Sequence, residues 1–168
     1  DKGAIIYNGK PQREYAADRL RPFCESVHLS IRPEQSFSSA YPLLPDTFTD
    51  LGPMGAILSA FRYDPEAAWL VVACDLPKLS GQSLGQLVEG RHPGRLATAF
   101  QSPWSPFPEP LVAIWEPRSY PVMLQWLSQG YACPRKVLIN EAIALLQPHF
   151  PEELRNVNTP EDRAALNG

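Results

Sequence analysis

Residues 69–77, Trp-Leu-Val-Val-Ala-Cys-Asp-Leu-Pro, are the stretch of this chain that decides its fold. Six apolar residues, 69–74, follow one another without a break, and the run then ends at Asp75. An unbroken apolar run is typical of a strand that is covered on both faces, as the central strands of a parallel sheet are. Open parallel sheets bind ligands beyond the carboxyl ends of their strands. The stretch therefore predicts a central parallel strand that carries a carboxylate to the edge of a binding site.

Strand-like and helix-like patterns alternate on both sides of this run, which is typical of a layered α/β fold. Alternating apolar residues predict a strand at 27–31, and Pro53 opens an amphipathic helix. Other strands are predicted at 4–7, 41–44, 96–100 and 111–115, and a turn at Asn8-Gly9. Other helices are predicted from Pro11, from Ser80 or Ser83 through Val88, from Ser119 as its cap, from Pro134 through Leu146, and after Thr159 as N-cap.

Length and composition limit the class of protein. The chain has 168 residues, about one domain's worth, and its 19 prolines are typical of many turns and helix starts. A net charge of −3 gives no basic footprint, so a nucleic-acid partner is not expected. The three cysteines are too few and too scattered for a disulfide framework, and no apolar run is long enough to cross a membrane. We expect a single cytoplasmic domain over residues 1–168.

Two features near the predicted strand ends have alternative interpretations. A poorly solvated carboxylate at Asp75 would be balanced economically by a divalent cation, but it could also cap a turn before Leu76-Pro77. The segment Gly52-Pro53-Met54-Gly55 leads into a helix N-terminus, where free N–H groups can cradle an anion or a base. Glycine and proline are also common at the start of helices that have no binding role.

Several charged residues elsewhere could either bind a ligand or simply be solvated. Either Asp46 or Asp50 could accept the two N–H donors of a guanine edge, or could simply be solvated in its loop. Arg135 and Lys136, at the start of a helix, could meet a phosphate or face water. The residues alone leave both alternatives open.

Five segments in a fixed order resemble the molybdenum cofactor guanylyltransferases. They are Asp-Lys-Gly at 1–3, Tyr-Asn-Gly-Lys-Pro-Gln at 7–12, Leu-Gly-Pro-Met-Gly-Ala-Ile-Leu at 51–58, Val-Ala-Cys-Asp-Leu-Pro at 72–77 and Asn-Val-Asn-Thr-Pro-Glu-Asp at 156–162. The resemblance covers essentially the whole chain. It implies a three-layer, mostly parallel, Rossmann-like sheet of the nucleotide-diphospho-sugar transferase type. It also implies transfer of GMP from GTP to the terminal phosphate of molybdopterin, with release of pyrophosphate.

The resemblance assigns roles residue by residue. It implies that Lys2 holds the nucleotide phosphates and that Asp75 binds Mg²⁺, with Asn158 as a second ligand or substrate-positioning group. Ser30 would approach the base or ribose and Asp46 would read guanine. The remaining implied residues shape the turn beside the nucleotide or face the pterin substrate: Gly52 and Gly55 for the turn, Arg135 and Lys136 for the pterin.

One departure from the family separates the hypotheses about function. The family begins with a strand and a glycine-rich loop around the phosphates, and this sequence starts at the final Asp-Lys of that motif. We therefore expect a fragment of a longer polypeptide whose first strand is missing here, with a fused or associated cofactor-biosynthesis domain as a partner. The alternatives are a non-catalytic partner or regulatory module with the same fold, or a nucleotidyltransferase that uses CTP or another acceptor.

Overall fold

The computed structural model describes residues 1–7 and 9–165, so Asn8 of the predicted turn lies outside the described residues. The strands are β1 (Ile6–Tyr7), β2 (Lys10–Pro11), β3 (Leu29–Ile31), β4 (Leu43–Pro45), β5 (Trp69–Val72), β6 (Ala97–Gln101), β7 (Pro108–Trp115) and β8 (Ala144–Leu146). The α-helices are α1 (Gln12–Leu20), α2 (Pro53–Tyr63), α3 (Gly81–Glu89), α4 (Ser119–Ser128), α5 (Pro134–Asn140) and α6 (Pro160–Ala164). Short 3₁₀ turns occupy Lys2–Ala4, Arg21–Phe23 and Pro151–Leu154.

A mixed four-stranded sheet, in the order β5-β7-β6-β8, forms the centre of the fold. Strand β7 is antiparallel to both β5 and β6, whereas β8 is parallel to β6, so that β5, β6 and β8 all run in one direction. The reversal at β7 follows from the short connection at 102–107, since such a loop can join only antiparallel neighbours. Strands β3 and β4 pair in parallel as a separate ladder.

Helices cover both faces of the four-stranded sheet. One face buries α2, α4 and α5, represented by Phe61, Met123 and Val137, against Ala113 and Trp115 of β7. The other face buries Leu84 and Leu87 of α3 against alternate residues of the same strands, Phe100, Val112 and Ile114. Because successive strand residues point to opposite faces, β6 and β7 each supply both cores. The prediction of a layered α/β fold is confirmed.

Several local predictions are confirmed and two are wrong. Helix α2 begins at Pro53, and the Ser80 side chain caps α3 by accepting a hydrogen bond from the Gln82 amide. Ser119, in contrast, is the first residue of α4 rather than its cap. The predicted long helix from Pro134 ends at Asn140, and 144–146 form β8, because these residues pair with the free edge of β6 and satisfy its backbone groups.

The interpretation of residues 69–74 as a central parallel strand is also wrong in the described structure. Strand β5 lies at the edge of the four-stranded sheet, its ladder partner β7 is antiparallel, and all four of its residues are only partly buried. Its free edge faces an apolar cleft of about 210 Å³, which β3 lines on the opposite side. The apolar residues of β5 are therefore explained by this cleft as well as by the core. No described helix is long and apolar enough to cross a membrane.

Candidate functional site

Asp75 lies just past the carboxyl end of β5, at the edge of a cavity. Its side chain is 19% exposed, and its Oδ2 lies 3.8 Å from the Nζ of Lys2. Its Oδ1 is buried and accepts no hydrogen bond from any residue that the structure describes. A buried carboxylate oxygen without a donor costs free energy unless a cation or a ligand supplies the missing contact. The interpretation of Asp75 as a turn cap leaves this oxygen unexplained.

The C-terminal segment packs against the same point. The Val157 amide donates a 2.9 Å hydrogen bond to the Asp75 carbonyl, and Lys2 Nζ donates to Asn158 Oδ1 at 2.5 Å. Thr159 and Asp162 cap the start of α6 reciprocally, and these hydrogen bonds hold the pKa of Asp162 below its ordinary value. Lys2 and Asn158, 156 positions apart, are therefore brought together beside Asp75.

The cavity at Asp75 has a volume of about 240 Å³ and walls from five parts of the chain, one of them the segment around Asp75 itself. Lys2 lies on one wall, Glu109 at the start of β7 on another, and Arg135 enters from the first turn of α5. Leu154 and Asn156 of the C-terminal segment complete it. The arrangement places two cationic and two anionic side chains around a space suited to a phosphorylated ligand and its counter-cation.

Lys136 is directed elsewhere although it follows Arg135 directly in the sequence. Its Nζ lies 3.7 Å from the centroid of the Tyr131 ring, a cation–π contact, and the residue does not line the cavity at Asp75. Successive helix residues point about 100° apart, so one basic residue of the pair enters the cavity and the other does not. The structure thus separates two residues that the sequence presents together.

Ser30 and Asp46 form a second group. Strand β3 pairs with β4 in parallel, and the Asp46 amide extends the ladder by donating to the Ile31 carbonyl at 2.8 Å. This register brings Ser30 Oγ within 3.1 Å of Asp46 Oδ1, to which it donates a hydrogen bond. Burial raises the pKa of Asp46 above its ordinary value and the charge of Glu34 adds to the shift, while the Ser30 hydrogen bond opposes it. Ser30 and Cys74 line the same cleft between β3 and β5, which connects this group to the strand that leads to Asp75.

The two glycines at the start of α2 are required by different features of the backbone. Gly52 has a φ of +56°, in the region that favours glycine. Gly55 has an ordinary φ, but a Cβ there would lie 2.2 Å from the Phe48 carbonyl oxygen. The preceding loop therefore packs directly on the first turn of the helix, where the amides of Gly55 and Ala56 donate to the Gly52 carbonyl at 3.0 and 3.4 Å.

Ser59 and Glu109 are two residues that the sequence reasoning missed. Ser59 is buried in α2, where its Oγ accepts hydrogen bonds from the amides of Thr47 and Phe48 and donates to the Gly55 carbonyl at 2.6 Å. It therefore holds the loop after Asp46 against the helix. A lone serine among the apolar residues of α2 was the available signal. For Glu109 the signal was a charged residue between two prolines at the start of a strand.

The oxygen atoms at and beside Asp75 are suitable ligands for a magnesium ion. Mg²⁺ is usually bound by one or two carboxylates together with waters and substrate phosphates, rather than by an all-protein cage. Within residues 1–7 and 9–165, no three side chains of His, Cys, Asp or Glu gather into a metal cluster. The unpartnered Oδ1 of Asp75 and the adjacent carboxamide of Asn158 are oxygen ligands of the required type.

Comparison with known proteins gives a consistent set of relatives. The family model described as "MobA-like NTP transferase domain" matches residues 1–144. The chain is 32% identical over 170 residues to a "Molybdenum cofactor biosynthesis bifunctional protein" of Synechocystis sp., covering 99% of this chain and 49% of that protein. It is 26% identical over 165 residues to a "Molybdenum cofactor guanylyltransferase" of Pseudomonas putida, covering 96% of this chain and 85% of that protein.

A solved structure shows the same fold. It is that of "Molybdopterin-guanine dinucleotide biosynthesis protein A" from Archaeoglobus fulgidus, which superposes with a TM-score of 0.79 at 21% identity. The match covers 98% of this chain and 87% of that chain. The predicted fold of the nucleotide-diphospho-sugar transferase type is thereby confirmed. The Synechocystis protein is about twice as long as the stretch that this chain matches.

Proposed function

Because the chain belongs to the MobA-like NTP transferase family, we propose that it acts as a molybdenum cofactor guanylyltransferase and joins GMP to molybdopterin. The observation that carries the proposal is the unpartnered, buried Oδ1 of Asp75, which lines a cavity together with Lys2 and Arg135. The names of the relatives from Synechocystis and Pseudomonas putida support the same assignment. The substrates are then GTP and molybdopterin.

In the proposed reaction an oxygen of the terminal phosphate of molybdopterin attacks the α-phosphorus of GTP. The new P–O bond forms as the bond to the β-phosphate breaks, and pyrophosphate leaves. Such a transfer depends on alignment of the two oxygens and on neutralisation of charge around phosphorus. Mg²⁺, held by Asp75 with Asn158 nearby, would supply part of that neutralisation.

The two cationic side chains of the cavity are proposed to bind different phosphates, those of the nucleotide and that of the acceptor. Lys2, hydrogen-bonded to Asn158 and 3.8 Å from Asp75, would act as a point charge for the nucleotide phosphates. Arg135 enters the cavity from α5, where its planar guanidinium can bind two oxygens of the acceptor phosphate. Lys136 has no such position, because it packs on Tyr131.

Recognition of the base is proposed for Asp46. Its two carboxylate oxygens match the N1–H and N2–H₂ donors of guanine, and Ser30 orients the carboxylate by donating to Oδ1. Gly52 and Gly55 shape the turn at the start of α2, Gly52 through its positive φ and Gly55 through its close contact with the Phe48 carbonyl. Cytosine lacks this pair of adjacent donors, so the arrangement favours GTP over CTP.

A transfer assay with the full-length protein tests the proposal. Molybdopterin, MgGTP and enzyme should yield the guanine dinucleotide and pyrophosphate, with GTP preferred to CTP in competition. Asp75→Asn keeps the shape of the side chain but removes its charge, and we expect turnover to fall by about 10²–10³-fold. Undiminished turnover in Asp75→Asn would remove the metal assignment. A full-length protein that neither binds MgGTP nor turns it over would instead support a non-catalytic module.

We also propose that residues 1–168 form one domain whose sheet accepts a further strand. The support is the cleft between the free edges of β3 and β5, which is lined by apolar residues on both sides. Unpaired strand edges that face each other are ordinarily covered or paired. A polypeptide that carries an apolar strand fused ahead of Asp1 should melt at a higher temperature than residues 1–168 alone.

A further inference from the structure

Glu109, near the start of β7, and Asp75, just past the end of β5, lie at the same end of the β5–β7 pair. Strands β5 and β7 pair in antiparallel register, Val72 with Val112, and the Ala73 amide continues the ladder by donating to Leu111 O at 2.9 Å. Asp75, in the turn two residues after Ala73, and Glu109, two residues before Leu111, therefore lie close to the same end of the ladder. Both residues line the same cavity.

Two carboxylates in this relation repel each other unless a positive charge lies between them. The Glu109 side chain is partly buried, and it forms no hydrogen bond or ion pair with any residue that the structure describes. Lys2 is committed to Asn158 and to the far oxygen of Asp75. Arg135 shares the cavity but forms no ion pair with Glu109. Asp75 Oδ1 therefore accepts no hydrogen bond, and Glu109 forms no ion pair, among the residues that the structure describes, although both line one cavity.

We propose that Glu109 is the second carboxylate of the cation site, holding Mg²⁺ from β7 while Asp75 holds it from β5. This inference rests on the proposed function, since it concerns the cation of the same reaction. A magnesium site that also binds substrate phosphates takes one or two carboxylates from the protein, so a second carboxylate fits such a site. Glu109 thus sets the affinity for the cation, and Asn158 is left to position Lys2.

Cation binding can be measured without any turnover. The full-length protein without nucleotide is titrated with Mn²⁺, and bound Mn²⁺ is followed by the enhancement of water proton relaxation. Glu109→Gln keeps the size of the side chain, and we expect the Mn²⁺ dissociation constant to rise about 10–100-fold, the range that metal-site partners typically show. Glu109→Asp, which keeps the charge on a shorter arm, should lose less. Glu66→Gln, in the exposed turn after α2, should bind Mn²⁺ as the parent does.

Two further measurements show whether a change in Mn²⁺ binding comes from a loss of folding, and whether the proposed function holds independently of it. The melting temperature of Glu109→Gln without ligand should equal or exceed that of the parent, because a repulsion has been removed. An unchanged Mn²⁺ dissociation constant in Glu109→Gln overturns the inference, and so does a raised molybdopterin KM with normal cation affinity. If the cation result holds but the parent makes no guanine dinucleotide, the proposed function fails while the cation site stands.

Discussion

The close approach of Gly55 to the Phe48 carbonyl predicts the effect of a single methyl group. An added Cβ would lie 2.2 Å from that oxygen, so the loop or the helix must move by about 1 Å to reach an ordinary contact. Phe48 cannot yield freely, because its amide donates to Ser59, which is itself buried in α2. Overpacking of this kind costs up to about 3 kcal/mol, and alanine's better helix propensity returns about 1 kcal/mol. The expected net loss for Gly55→Ala is about 2 kcal/mol.

Thermal unfolding of the purified chain measures this loss. A destabilisation of about 2 kcal/mol corresponds to a fall in melting temperature of about 4–8 °C for a chain of this length. The matched control is Gly81→Ala at the first position of α3, where an added Cβ meets no atom within 4 Å. That variant should melt at or slightly above the parent temperature. If Gly55→Ala melts within 1 °C of Gly81→Ala, then the loop does not pack on the helix as described.

Two further predictions concern charge. Because burial raises the pKa of Asp46, the carboxylate that would accept the guanine donors is lost as pH falls through that raised value, earlier than for an ordinary aspartate. GTP affinity by calorimetry should therefore weaken on the acid side in the parent more steeply than in Asp46→Asn; identical pH profiles would contradict the base-reading role. Glu116, 2% exposed, forms two hydrogen bonds with the partly exposed Arg91. Glu116→Gln should lower the free energy of unfolding by about 1–2 kcal/mol in urea, and an unchanged midpoint would show the pair to be dispensable.

Local sequence patterns predicted helices and strands well where the structure of a segment depends only on residues close to it in the sequence. The start of α2 at Pro53 and the capping of α3 by Ser80 depend on residues within a few positions of each other. The end of α5 does not. Leu145 and Leu146 continue a helical stripe, but the free edge of β6 offers backbone partners that no local pattern reveals.

The same distinction applies to the candidate site. Asp75 could be placed at a strand end from its neighbours in sequence, and its position at the edge of a cavity agrees with that placement. The different surroundings of Arg135 and Lys136 arise only once α5 has packed, when Lys136 lies on the Tyr131 ring and Arg135 lines the cavity. The relation between Glu109 and Asp75 depends on the antiparallel register of β5 and β7, whereas the sequence suggested a parallel strand at β5.

The hydrogen bond from the Val157 amide to the Asp75 carbonyl couples the position of the C-terminal segment to the structure of the cavity. A ligand that requires Asn158 and Asp75 together binds only the form in which this segment is docked. By thermodynamic linkage, such a ligand must raise the docking equilibrium constant of the segment by the same factor with which docking strengthens binding. Docking of the C-terminal segment and binding of a ligand in the cavity are then coupled equilibria, and a change in one changes the other.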